Sequence, residues 1–369
     1  MQPDAKTSPT FEPRCQTTTI GSLPHKDVER GTRLMFASTP SIPSWVQFPR
    51  RAFHENMMVQ FTEGIPGLVQ EGDRVYFDTQ TAAYIDQLTH FYDRYLKVVE
   101  ADDSDALAHF RISTEYAAGF EAFLQHLPMA IDSATMLKGQ VTGPFTQGIN
   151  LLDQNRRCAY YDETLRDVIV KTVALKAKWQ LTQLERFQKP LILFLDEPSL
   201  LGFGSQTFIT VSEQDIIGDI NEVVSWIHAH GALAGVHCEE DTDWSLLMAT
   251  DLDILDFDAY DHLRAMTLYP DDLYEFFERG GVLGWGIVPT LDLEAASTET
   301  VETLLARFEA GLERFEEKGF ERTTLLSRAL ITPSCGAGGV LTEPLAERVL
   351  QILPEFSQTL RERYGLEAE

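Results

Sequence analysis

Short apolar runs that stop abruptly at polar, Gly or Pro residues recur along this chain, and helical periodicity follows most of them. The runs are 17–21, 75–78, 136–140, 191–196, 234–239, 254–258, 282–286 and 330–332. Amphipathic patterns at 105–127, 160–188, 212–230, 270–279, 298–318 and 343–363 supply the helices. Strand followed by helix, repeated, dictates a parallel sheet with helices outside, and eight repeats close it into an α/β (β/α)8 TIM barrel. Leu191-Ile192-Leu193-Phe194-Leu195 is apolar on both faces, as a strand covered on both sides requires, and it ends at Asp196-Glu197-Pro198. No Pro/Gly/Ser-rich linker divides the chain. The expected organisation is a polar, Pro-containing arm over residues 1–14 and a single barrel over 15–369. Residues 40–66 show no clear strand and are expected to cross the face where the strands end.

Lys and Arg total 30 against 57 Asp and Glu, a formal net charge of −27. Such a surface repels phosphate backbones and anionic lipid, so neither nucleic acid nor membrane is an expected partner. Cys15, Cys158, Cys238 and Cys335 show no disulfide-framework or CxxC spacing, and the first residues lack an apolar signal core. The expectation is a reducing, cytoplasmic setting. No stretch approaches the roughly 18 consecutive apolar residues of a membrane span.

In a barrel the carboxyl ends of the strands build the active site, so the strand tips are read together. Three tips carry metal-ligand residue types: His237-Cys238-Glu239, Asp256-Phe257-Asp258 and Ser334-Cys335-Gly336. Residues two apart on a strand share a face, so His237 and Glu239 converge while Cys238 points away. His237, Glu239, Asp258 and Cys335 together offer one nitrogen, two carboxylates and a thiolate, a set that can hold Zn²⁺ with an open position. The plainer alternative is a satisfied histidine, a small buried thiol and acids that cap strand ends. Ile20-Gly21-Ser22 forms a turn whose N–H groups and hydroxyl can hold a carboxylate. Lys138-Gly139 with Thr142-Gly143-Pro144 leaves room for a ligand. Asp196 is read as a ligand contact and Glu197 as at least partly structural.

These segments, in this order, resemble the catalytic domain of cobalamin-independent methionine synthase, in the superfamily shared with uroporphyrinogen decarboxylase and corrinoid methyltransferases. The matches are Ile20-Gly21-Ser22, Lys138-Gly139 with Thr142-Gly143-Pro144, Asp196-Glu197-Pro198, His237, and Pro333 with Cys335-Gly336. The resemblance implies that Ile20 and Ser22 contact the carboxylate of a homocysteine-like substrate, that Asp196 takes its ammonium, and that Glu55 and Lys138 belong to the substrate site. It implies zinc on His237, Glu239, Asp258 and Cys335.

The sequence departs from that family at two places. Glu239 and Asp258 stand where the synthase has a cysteine and a glutamate, and Pro289 and Leu291 stand where it has an Asp and a His for acid catalysis. The expected activity is therefore metal-dependent methyl transfer to or from a small thiol, with a corrinoid protein or another methyl donor in place of folate. Two alternatives are a porphyrinoid decarboxylase-like enzyme and a non-catalytic barrel that binds an amino acid or corrinoid.

Overall fold

The computed structural model describes residues 11–203, 211–239 and 241–366. Leu68–Glu71 (β1), Arg74–Phe77 (β2) and Leu152–Asp153 (β4) form one small sheet. The main sheet is Leu137–Thr142 (β3), Leu191–Asp196 (β5), Leu233–Cys238 (β6), Ile254–Phe257 (β7), Val282–Val288 (β8) and Ala329–Pro333 (β9). Its strands lie side by side in that order and all pair in parallel. The result is an α/β half-barrel of six strands.

Parallel neighbours need crossovers, and helices provide them at Glu163–Glu185, Glu213–Ala229, Pro270–Glu278 and Val301–Glu316, with Glu343–Tyr364 after β9. Side-chain caps fix three of the starts. Asp162 accepts from Thr164 and Leu165, Ser212 accepts from Asp215, and Thr300 exchanges bonds with Thr303.

Every residue of the six main strands is buried. Alternation divides them between two environments. Outward side chains such as Leu193, Leu195, Val236, Leu255 and Phe257 join the large core under the helices. Met136, Ile192, Leu233, Ile254, Val282 and Leu330 face inward and pack with Ile42 and Phe194 as a separate apolar floor.

Several expectations change. The run 75–78 does not join the main sheet; β2 pairs with β1 and β4. Part of 40–66 takes a place beside the main sheet instead, because the Ser41 carbonyl accepts from Thr135 and Met136 and the Pro43 carbonyl accepts from Lys138. On the opposite edge the 15–18 segment runs along β9, with Cys15 N–H donating to Ala329 and Thr18 N–H to Ile331. These two edge segments meet in an isolated parallel bridge between Ser22 and Gln47. Of the expected arm, residues 1–10 lie outside the described residues, whereas Phe11 packs on the apolar floor and Arg14 N–H bonds to Ser327 O. The expected helix 105–127 is divided into Ser104–Leu107 and Ala118–Ala130, and Val28–Ser38 and Tyr84–Ala101 are further helices. No helix among the described residues is long and apolar enough to cross a membrane.

The 44–47 stretch is held by side chains where regular pairing is missing. Trp45 is fully buried, its Nε1 donates to Gln180 Oε1 at 2.9 Å, and Gln140 Nε2 donates to its carbonyl at 2.9 Å. Helix Ala118–Ala130 packs so closely here that a Cβ on Gly119 would overlap the Val46 carbonyl oxygen. Gly119→Ala is expected to cost about 1–3 kcal/mol by overpacking. Gly218→Ala, in a helix position with open space around it, is expected to gain about 0.5–1 kcal/mol by helix propensity. Urea unfolding of the two variants checks this, and equal shifts would contradict the packing of 44–47.

Candidate metal centre

His237 sits at the end of β6 on the inward face, and in register with Asp256 of β7. Its Nδ1 lies 2.7 Å from Asp256 Oδ1, and Asp256 Oδ2 accepts from Thr332 Oγ1 of β9 at 2.7 Å. Both His237 and Asp256 are buried. With Nδ1 committed to a carboxylate, Nε2 is left buried and without a protein partner. A carboxylate behind an imidazole that presents its free nitrogen is the usual support of a metal-binding histidine.

Two other ligand types meet that nitrogen. Glu239 Oε1 is 4.0 Å from Nε2, and Cys335 Sγ is 2.5 Å from Glu239 Oε1. The three ligand atoms all lie within 4.8 Å of one another. Cys335 follows β9, and Thr290 pins it from the loop after β8. Cys335 N–H donates to Thr290 Oγ1 at 2.9 Å, and that hydroxyl returns a bond to the Cys335 carbonyl at 3.1 Å. Cys238 points outward and donates to the Glu197 carbonyl at 3.2 Å, as strand alternation requires.

Electrostatics at the cluster suit a cation. Burial works to lower the His237 pKa, but the Asp256 bond, with Glu239 and Asp196 nearby, raises it above the ordinary value. Burial and the Glu239 carboxylate push the Cys335 thiol well up. The proton between Cys335 and Glu239 is what a divalent cation would displace, because only the thiolate ligates. One nitrogen, one oxygen and one sulfur donor, with an orphaned buried Nε2 among them, fit a divalent ion with a further position free.

The remaining expected site residues divide. Asp258 is absent from the cluster; its Oδ1 accepts from the N–H groups of Tyr260 and Asp261 and closes a turn, and burial raises its pKa to about 6. Asp196 faces the same cavity as His237, with Oδ1 buried and unpartnered. Its burial raises its pKa to about 6, against the lowering effect of Lys138 and His237. Lys138 is level with Ile192 of the floor, with Nζ donating to Ile20 O at 3.1 Å and standing 4.3 Å from the centre of the Phe194 ring. Burial lowers its pKa to about 8. Glu55 borders the cavity, but its oxygens already accept from Arg51 Nε at 2.7 Å and Ala118 N–H at 2.9 Å. Ile20 and Ser22 border it too, and Ser22 Oγ accepts from Gly338 N–H at 3.1 Å. Glu197 is structural, as read: its carboxylate accepts from Phe145 and Thr146 N–H groups. Sequence reasoning missed Asp256 and Thr332. The available signal was that Asp256 shares a face with Asp258, one strand step deeper.

The cavity above the cluster holds about 260 Å³. His237, Glu239, Cys335 and Asp196 form its polar end, and Met57, Pro198, Leu291 and Val340 contribute apolar wall.

No protein-family model matches the chain, and no curated protein matches it. Among solved structures it is similar to a GH113 β-1,4-mannanase complex, at 10% identity over 95% of this chain and 100% of that one, with a TM-score of 0.41. It is also similar to the pneumococcal N-glycan hydrolase StrH, at 9% identity over 95% of this chain and 84% of that one, with a TM-score of 0.43. A xylose isomerase-like TIM barrel/4-hydroxyphenylpyruvate dioxygenase fusion protein matches at 11% identity over 67% of this chain and 38% of that one, with a TM-score of 0.34. At such scores these likenesses carry no argument about what the chain does.

Asp256→Asn is expected to weaken divalent-ion affinity about 10–100-fold, the usual effect of losing a histidine's supporting carboxylate. Asp258→Asn is expected to leave it within a few-fold. Zn²⁺ titration against a chromophoric chelator separates the two, and an equal loss in both would return Asp258 to the ligand set.

Proposed function

We propose that this chain is a (β/α)8-barrel, metal-dependent methyltransferase that moves a methyl group to or from a small thiol such as homocysteine. The observation that carries this reading is the Asp256-oriented, unpartnered Nε2 of His237 beside Glu239 and Cys335 in a cavity of about 260 Å³. The edge segments at 15–22 and 44–47 count as the two further staves of the ring, supported by their bridge at Ser22 and Gln47. The resemblance to the methionine synthase catalytic domain supplies the reaction class.

His237, Glu239 and Cys335 would hold the ion, and Zn²⁺ is the metal that a mixed N/O/S set with an open position suits best. Bound there, Zn²⁺ supplies a lowered pKa for a substrate thiol, and so a thiolate at neutral pH. Asp256 keeps the imidazole in the tautomer that leaves Nε2 free. Asp196 offers a buried carboxylate to one positively charged group in the cavity, and the apolar wall keeps water from the sulfur. In the forward direction the thiol loses its proton, a carbon–sulfur bond forms, and the donor keeps the electron pair of the broken bond. The free cysteines fit a reducing, cytoplasmic setting. A corrinoid protein would have to present its methyl group from the mouth, because about 260 Å³ does not admit a macrocycle.

The decarboxylase alternative is less well supported, since no Lys or Arg among the described residues borders the cavity to meet several carboxylates. The non-catalytic alternative draws on Leu291, which occupies the wall where the resemblance leads to a proton donor. Activity decides between them. Purified protein is expected to carry about one equivalent of metal per chain, and His237→Ala and Cys335→Ala are each expected to lose it together with thiol methylation. Elemental analysis and mass spectrometry of the thioether product read this. Metal retained in both variants, or no methyl transfer to any thiol tested, would refute the enzyme.

A further inference from the structure

We propose that the methyl donor is a small onium cation, a sulfonium or quaternary ammonium compound, whose charge rests on Asp196; this rests on the methyltransferase reading above. Three observations support it. The first is a buried carboxylate with an unsatisfied oxygen. Asp196 is 5% exposed, borders the cavity, and has Oδ1 with no hydrogen-bond partner. A buried carboxylate left unpaired costs several kcal/mol, by the usual penalty for such an ion. Lys138 acts on Asp196 through its field, but its hydrogen bonds go to the Ile20 carbonyl and to Gln140 Oε1 at 3.5 Å.

The second observation is the sign of the whole cavity. Among the described residues its acidic members are Glu55, Asp196 and Glu239, and no Lys or Arg borders it. Glu55 is neutralised by Arg51. Glu239 and Cys335, once deprotonated, would balance a divalent ion, so among the described residues bordering the cavity Asp196 is the acid left to meet a ligand. The field of a chain with net charge −27 also favours cations over anions on approach.

The third is the wall. Met57, Pro198, Leu291 and Val340 offer carbon rather than donors, which suits the methyl groups that carry an onium charge. The chemistry closes without an acid. The bond from the transferred carbon to the positive sulfur or nitrogen breaks, and its electron pair stays with the donor. The donor leaves as a neutral thioether or tertiary amine, and the carbon joins the thiolate. The thiol proton leaves to solvent when the thiolate forms, no further proton moves in the transfer itself, and nothing is oxidised. Two opposite charges cancel in the step, so a cavity that excludes water favours it.

The test uses Zn²⁺-loaded full-length protein and isothermal titration with choline, trimethylsulfonium and 3,3-dimethylbutan-1-ol, the uncharged carbon analogue of choline. Both cations are expected to bind at least about thirtyfold more tightly than the alcohol, the lower bound for a desolvated charge pair. Asp196→Asn is expected to remove that difference at unchanged metal content. Release of dimethyl sulfide or of a tertiary amine in the presence of a thiol then tells sulfonium from ammonium. Binding of the alcohol within threefold of both cations, or a cation preference that survives in Asp196→Asn, would overturn the proposal. Metal-dependent thiol methylation without cation preference would sink the onium donor alone. Cation preference in a protein that takes up no metal would sink the methyltransferase and leave the cation site standing.

Discussion

The site depends on one buried carboxylate. Asp256 is fully buried in the middle of the sheet, and a charge there is tolerable only if each oxygen is occupied. One oxygen takes His237 Nδ1 and the other takes the Thr332 hydroxyl, so the same group ties β6, β7 and β9 together. Gly284 on β8 makes room, because a Cβ there would overlap the carboxylate. From this arrangement follow the ring orientation of His237, the exposure of Nε2 to the cluster, and the position of the metal ligands relative to the cavity.

The strands are organised to change character along their length. Each begins on the apolar floor at residues such as Ile192, Leu233, Ile254 and Val282. By register Phe194 and Gly235 lie level with Ile254 and Val282, and one inward step further Asp196, His237, Asp256 and Gly284 lie level with one another. The floor supplies hydrophobic stabilisation of the order of 1.5–3 kcal/mol per large side chain. That reserve lets the upper layer keep polar atoms unpaired, as Asp196 Oδ1 and His237 Nε2 are. Gly235 serves the same gradient: with no Cβ it lets the Phe194 ring lie over its backbone and roof the floor.

Much of this was legible in the sequence because alternation is a local property. It placed His237 and Glu239 inward and Cys238 outward, and it marked the tips of β5, β6 and β9. Two kinds of information were not local. Register decides which residues of neighbouring strands lie side by side, and it paired His237 with Asp256 while Asp258 turned to its own loop. Strands held by side chains carry no strand pattern either. Residues 44–47 follow directly on Pro43 and rely on Trp45, Gln140 and Gln180, whereas 75–78 has the pattern and joins a different sheet.

The central claim is that His237, Glu239 and Cys335 hold one metal ion through nitrogen, oxygen and sulfur. X-ray absorption at the zinc edge, on protein loaded with one equivalent of Zn²⁺, tests it most directly. The account predicts a first shell with a single sulfur at about 2.3 Å and nitrogen or oxygen donors at about 2.0–2.2 Å, the sulfur vanishing in Cys335→Ala. A shell of light donors only, unchanged by that substitution, would contradict it.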